Sequence, residues 1–309
     1  MAAVKIGVAL PQESWPSGDP WPLERIVEYG LLAERLGFDS LWTNDHAFLE
    51  NLEPHPPPRR LLGGEPLVLL SYLAGRTSTV ELGTLVICSR FHAPGQLARE
   101  ARTLAELSGG RFILGVGAGW HAPELSAFGI PRDHAHSRFR EYVEALLPLL
   151  RGERVDYDGR FVKLAGGQVP GSATPPVWLA ASGPKALQLA GRLADGWNGA
   201  GQNPDDLLAG LRRAEAEAGR PPGSVLASAG ITALLAPPDE AERLLTEHPP
   251  MFGRPLVGAE ALRAAVERHH DAGYHHLILH LSGGIWSSFG EEQLELAAEA
   301  LGLQPAART

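Results

Sequence analysis

Cysteine is almost missing from this chain: one residue, Cys88, in 309. That excludes an intramolecular disulfide framework and a cysteine-built zinc site. Positive charge is in deficit too, with a formal net charge of −9, so neither nucleic acid nor an anionic membrane surface is expected as a partner. The deficit does not exclude an anionic cofactor, because a local group of cationic side chains or backbone N–H groups is enough to hold one. No apolar run approaches the roughly 18 residues of a membrane span. The opening MAAVKIGVAL lacks the basic segment and longer apolar run of a signal peptide. A cytoplasmic protein is expected. No G-x-S-x-G element or Cys/His spacing offers a covalent nucleophile. The twelve histidines do not make a metal site either. His269-His270 and His275-His276 are neighbours whose side chains diverge, and His134-x-His136 has only Asp133 beside it.

What the chain does have is alternation. Short β-branched runs at 4–10, 39–44, 80–87, 111–117, 176–181, 196–200, 225–235 and 275–281 are each followed by an amphipathic run. The helices are expected at 23–36, 66–76, 95–108, 138–150, 184–194, 204–218, at 237–247 or 259–272, and at 290–301. In 95–108, Leu97, Ala101, Leu104, Ala105 and Ser108 share one face, while Arg99, Glu100, Arg102 and Glu106 point away. Gly109-Gly110 stop that helix. Eight such units fit an α/β fold of the (β/α)8 TIM-barrel type better than an open doubly wound sheet. No repeat or linker divides residues 1–309, so one domain is expected. Three segments fall outside the units: a Pro-rich excursion at 47–65, a hairpin-like 152–168 turning at Tyr157-Asp158-Gly159-Arg160, and 248–257.

Chemistry concentrates where strands end. Asp45 and His46 close the second strand. At a barrel mouth His46 either exchanges a proton near neutral pH or is an ordinary hydrogen-bonded residue beside a loop-capping Asp45. LGVGAGW (114–120) is G-x-G-x-G, not the dinucleotide fingerprint, and no acidic residue closing a second strand follows about 20 residues on. Its glycines instead let a flat ligand approach the backbone. In PPVWLAASGPKALQLAG (175–191), Ser182-Gly183-Pro184 leads a strand into a helix. The exposed N–H groups there either hold a phosphate or belong to a helix that Ser182 simply caps. Trp15, Trp21, Trp120 and Trp286 lie in expected loops and offer an apolar surface to a substrate or to a partner subunit.

These residues, in this order, resemble the bacterial luciferase-like flavin and deazaflavin oxidoreductases. The resemblance rests on GVALPQ (7–12), AERLGFDSLWTNDH (33–46), ELGTLV (81–86), LAELSGGRFILGVGAGW (104–120), PVWLAASGPKALQLAGRLADGWN (176–198) and PLVGAEALRAAVERHHDAGYHHLIL (255–279), nearly the whole chain. It implies a homodimeric TIM barrel acting on a small organic molecule, with the deazaflavin F420 as cofactor and FMN as the alternative. Asp45 and His46 would lie beside the ring, with His46 as its proton donor or hydrogen-bonding partner. Leu85-Val86 would carry a non-proline cis peptide behind the ring, and Cys88 would sit near its polar edge. Ala118 and Gly119 would line it. Ala181, Ser182, Gly183 and Pro184, assisted by Lys185, would hold the phosphate, while Trp15 and Trp120 would face the substrate. An F420 tail, being anionic, would favour a basic track such as Arg59, Arg60 and Lys185. The sugar-phosphate dehydrogenase branch keeps a glutamate acid after the fourth-strand glycines. Here that place is Trp120, and Glu124 follows four residues on, which argues against that particular chemistry.

Overall fold

A computed structural model describes residues 4–12, 20–50, 59–199, 204–247, 254–281 and 290–305. Trp15, Trp286, the core of the Pro-rich excursion, residues 248–253 and the side chains of Arg59 and Arg60 lie outside the described residues. In chain order the elements are β1 (Lys5–Ala9), α1 (Leu23–Leu36), β2 (Ser40–Thr43), β3 (Phe48–Glu50), β4 (Arg59–Leu61), α2 (Pro66–Ala74), β5 (Glu81–Thr84), β6 (Ile87–Cys88), α3 (Pro94–Leu107) and β7 (Phe112–Gly117). Next come α4 (Ala122–Ala127), α5 (Ala135–Leu150), β8 (Val155–Asp158), β9 (Lys163–Gly167), β10 (Val177–Ala180), α6 (Pro184–Leu193) and β11 (Gly196–Gly199). The chain ends with α7 (Pro204–Glu217), β12 (Leu226–Leu234), α8 (Pro238–Glu247), β13 (Leu256–Val257), α9 (Gly258–Ala272), β14 (His276–His280) and α10 (Gly290–Leu301).

Strands β1, β2, β5, β7, β10, β11, β12 and β14 pair in that order, all parallel, and β14 pairs back to β1. The sheet is closed, a TIM barrel. Helices were expected at 237–247 or at 259–272; both are present. The 152–168 segment is the antiparallel β8–β9 hairpin. Part of the Pro-rich excursion is also a hairpin, β3 with β4. Among the described residues no helix is long and apolar enough to cross a membrane.

Helix α3 shows how local sequence makes these elements. Pro94 sits in its first turn, and Leu97, Ala98, Ala101, Leu104 and Ala105 are buried on the barrel side. A fully buried leucine there contributes about 1.5–3 kcal/mol. Gly109 and Gly110, both at positive φ, turn the chain away. Arg102 departs from the outward orientation expected of it. It is buried, and its guanidinium donates to the carbonyls of Leu150, Pro170 and Gly171, tying the end of α5 to the following loop. Trp21 departs likewise: it is buried beneath the Arg25 guanidinium and forms no surface for a ligand.

The lower half of the barrel is filled. Ala9, Trp42, Ile113, Trp178 and Ile278 form its apolar plug, with Leu85 packed on top. Below, Ser40 Oγ bonds His276 Nε2 at 2.6 Å and accepts from Trp42 Nε1 at 2.7 Å. Burial pushes the His276 pKa down to about 3, so the ring is neutral. Any ligand of the barrel interior must therefore enter from the C-terminal mouth, the end where TIM-barrel enzymes carry their chemistry.

Candidate active site at the barrel mouth

The end of β2 is fixed first. Gln12, buried after β1, accepts from Asn44 N–H at 2.6 Å and donates to the carbonyls of Asn44, Gly63 and Gly64. Held by this clamp, the next two residues turn to different partners. Asp45 Oδ2 accepts from Cys88 N–H at 2.8 Å and from His92 Nε2 at 3.0 Å. His46 Nδ1 lies 2.7 Å from Glu124 Oε2. Neighbours in sequence thus join two separate imidazole–carboxylate pairs.

Glu124 is only 1% exposed. Its second oxygen accepts from Ala47 N–H at 2.7 Å and Phe48 N–H at 3.3 Å. Burial alone would raise its pKa, but the His46 bond, the His46 charge and the two N–H donors hold it below the usual carboxylate value. An ionised carboxylate can only accept, so Nδ1 of His46 carries a hydrogen and Nε2 is the ring nitrogen left to exchange a proton. His121, beside it, accepts from Glu50 N–H at 3.1 Å through Nε2. Burial and the His46 charge lower its pKa, which suits an acceptor. Trp120 is 56% exposed and meets the His46 ring edge-on, centroids 5.5 Å apart. Phe128 packs against Phe48 and Phe91.

His92, which sequence reasoning did not single out, has its pKa raised. Burial works against this, but the hydrogen bond and charge of Asp45 outweigh it. A raised folded-state value means that the pair stabilises the fold fully below about pH 6.5, the ordinary imidazole value. The contribution is lost as pH rises through the folded-state value. Asp45→Asn is expected to return His92 to or below the ordinary value, read by histidine NMR. An unchanged titration would contradict the pairing.

On the adjoining wall the Leu85–Val86 peptide is cis, at the place where the resemblance puts one. Leu85 packs down on the plug, and Val86 packs across onto β7. This changes the reading of the β7 glycines. A Cβ on Gly115 would fall 1.9 Å from Thr84 O and 3.0 Å from Val86 Cγ1, and one on Gly117 would fall 2.7 Å from Val86 Cγ2. The room these glycines leave is taken up by the neighbouring strand, not kept for a ligand. Thr84 Oγ1 completes the junction by bonding both N and O of Gly115 at 2.8 Å. Gly119 has φ 74°, and a Cβ there would lie 2.5 Å from Cys88 Sγ. Cys88 is buried, and that burial raises its pKa to about 11, so the thiol is inert at neutral pH. Ala118 is half-buried against the main core.

Opposite, β10 is followed by Ala181, whose carbonyl accepts from Trp197 Nε1 at 2.8 Å. Ser182, Gly183, Pro184 and Lys185 are exposed. The N-cap of α6 is Gly183, not Ser182, and no side chain caps it. A Cβ on Gly183 would meet nothing within 4 Å. The result is an open helix N-terminus with free first-turn N–H groups. Two further residues line the interior. Asn198, on β11, bonds Ser228 through Oδ1 at 2.7 Å, and its buried Nδ2 has no partner among the described residues. His280 closes β14 against Gly230, with burial lowering its pKa to about 4. A buried amide donor lacking a partner is costly in an empty apolar cavity. It fits a flat heteroaromatic ring with acceptor edges, and the uncapped α6 fits that ring's phosphate.

Comparison with known proteins adds to this geometry. Residues 4–283 match the family model of the luciferase-like monooxygenases. The chain is 30% identical to an F420-dependent glucose-6-phosphate dehydrogenase of Kineococcus radiotolerans, over 93% of this chain and 94% of that one. It is 32% identical to a 5,10-methylenetetrahydromethanopterin reductase of Methanolobus tindarius over 66% of its own length, and there the match spans only 59% of the relative. A solved F420-dependent secondary alcohol dehydrogenase, 21% identical, superposes with a TM-score of 0.78 over the full length of both chains. With a closed parallel barrel and a family match across 4–283, the chain is an oxidoreductase that belongs to the luciferase-like monooxygenase family.

Proposed function

We propose that this protein is an F420-dependent oxidoreductase that transfers a hydride between the deazaflavin and a small organic substrate. The observation that carries the proton half of this reading is the His46–Glu124 bond of 2.7 Å at the mouth. Bound there, the deazaflavin supplies a hydride donor or acceptor at its C5 carbon. The chain supplies the rest. Glu124 fixes the His46 ring, and Nε2 of His46 gives or takes the proton that balances the hydride. Leu85 and Val86 support the ring from behind, and Asn198 Nδ2 offers a donor to its edge. The N–H groups of Ser182, Gly183 and Lys185 at the opening of α6 hold the phosphate, while Trp120 forms an apolar wall for the substrate. Alignment of the two partners is the larger contribution to rate in such a reaction. The reading includes a homodimer, which the family resemblance supports, and a cytoplasmic location, which the sequence leads one to expect.

The alternative is an FMN-dependent monooxygenase using reduced flavin and oxygen, and the description of the family model favours it. Oxygen consumption separates the two. Hydride transfer is expected to show no substrate-linked oxygen uptake with reduced cofactor, whereas uptake in step with substrate would establish the monooxygenase. The phosphate seat has its own test. Because nothing lies within 4 Å of a Gly183 Cβ, Gly183→Phe is expected to fold with an unchanged Tm. It is expected to bind cofactor at least about tenfold more weakly, or 1.4 kcal/mol. Unchanged affinity would place the phosphate elsewhere.

A further inference from the structure

We propose that His280, on the wall of the mouth that faces Leu85 and Val86, is a substrate-binding residue, and that it selects an uncharged alcohol or carbonyl compound by hydrogen bonding to its oxygen. The proposal rests on the cofactor reading above.

Alternation along β14 sets the direction of the side chain. His276 meets Trp42 and Trp178 inside the barrel, and Ile278 belongs to the plug. His280, two residues further on, points the same way, one layer above the plug. Its partner in register on β12 is Thr232, and its ring leans back over Gly230. A Cβ on Gly230 would lie 3.2 Å from His280 Nε2 and 3.5 Å from its Cδ2, and would otherwise meet nothing within 4 Å. Gly230 is itself exposed, so open space lies beside the imidazole.

Nothing among the described residues claims this ring. His46, His92, His121 and His276 are each hydrogen-bonded. His280 makes no hydrogen bond or ion pair among the described residues, and burial is all that moves its pKa, down to about 4. The ring is therefore neutral at physiological pH, with one nitrogen a donor and the other an acceptor. Leaving both unpaired in a half-buried place is costly. A hydroxyl group satisfies either nitrogen, and a carbonyl oxygen satisfies the donor.

The order of the strands shows what passes in front of it. Counted from β1, strands β5 and β7 stand third and fourth around the barrel, and β12 and β14 stand seventh and eighth. The two pairs therefore face each other across the mouth. A flat ring backed by Leu85 and Val86 turns its free face to Gly230 and His280, and the substrate lies between. That wall is uncharged: β12 reads LASAGITAL and β14 reads HLILH. The stretch 282–289, SGGIWSSF, holds no charged residue. Arg254, between α8 and β13, already pairs with Glu242, and Arg25, at the start of α1, pairs with Glu291. A phosphate, carboxylate or ammonium group would be buried there without a counter-charge, at high cost. A hydroxyl or carbonyl oxygen needs none.

The test offers the full chain, loaded with F420, two neutral alcohols (isopropanol and cyclohexanol) and two anionic ones (lactate and glycerol phosphate), and follows F420 reduction by fluorescence. The neutral alcohols are expected to show kcat/KM at least about tenfold above the anions. His280→Phe is expected to raise KM for cyclohexanol about tenfold, one lost hydrogen bond, with kcat, Tm and F420 affinity within a few-fold of wild type. His280→Gln keeps a donor and an acceptor and is expected to recover most of that loss. In ¹⁵N NMR of labelled histidine, cyclohexanol added to the F420-loaded wild type is expected to shift the His280 ring signals and to leave those of His276, under the plug, in place. Turnover of neither neutral alcohol, an unmoved His280 signal, an unchanged KM in His280→Phe, or loss of F420 binding by that variant would overturn the assignment and leave the cofactor reading standing. If the wild type does not bind F420, the cofactor reading fails and the assignment with it.

Discussion

His46→Ala is expected to lower turnover by about 10²- to 10⁴-fold, the usual contribution of a positioned acid or base, while cofactor affinity changes only a few-fold. The reasoning starts from Glu124. A carboxylate 1% exposed with three donors aimed at it is a fixed acceptor, and the imidazole it holds cannot turn away from the mouth. Glu124→Gln keeps the size of the side chain and removes the charge. It is expected to abolish the fixed Nδ1–H tautomer of His46, seen by ¹⁵N NMR of labelled histidine, and to lower turnover less than His46→Ala does. Glu124→Ala also strips an acceptor from the N–H groups of Ala47 and Phe48. It is expected to cost about 2 kcal/mol or more of stability. Normal turnover by His46→Ala would remove this imidazole from the reaction.

Gly115→Ala is the second large effect, and it falls on folding. Its Cβ would stand 1.9 Å from Thr84 O, a backbone atom in a strand paired on both sides. Nothing flexible can yield there. Overpacking a core commonly costs about 1–3 kcal/mol, and a backbone clash belongs at or above the top of that range. Gly115→Ala is expected to lose about 3 kcal/mol or more in denaturant unfolding, whether or not cofactor is present. Gly183→Ala, where the added atom meets open space, is the control and is expected to unfold like the wild type. Equal stability for both variants would contradict the close approach of β5 and β7.

The barrel was legible in the sequence because each strand–helix unit carries its own periodicity, and stops such as Gly109-Gly110 are local signals. The two halves of the Asp45-His46 pair were legible only as positions. Sequence adjacency suggested a shared task, yet successive side chains of extended backbone point to opposite sides. Asp45 therefore meets Cys88 and His92, and His46 meets Glu124. Glu124 looked remote from the place of the branch's acid because four residues were counted along the chain. Trp120 stands just before α4, and the first turn of that helix folds the Glu124 carboxylate back onto His46 and the N–H groups of Ala47 and Phe48. His92 and Asn198 left no motif at all, for each acquires meaning only from a partner, or the lack of one, supplied by another strand. The β7 glycines were visible, but their cause was not: Val86 and Thr84 O, which fill their space, come from about thirty residues earlier.

The central claim is that the mouth holds F420 and passes hydride, and direct titration of the purified chain with F420, FMN and reduced FMN tests it most simply. The account predicts tight binding of F420, weaker binding of both FMN forms, and no oxygen uptake linked to substrate. Preference for reduced FMN, with oxygen consumed as substrate is turned over, would contradict it.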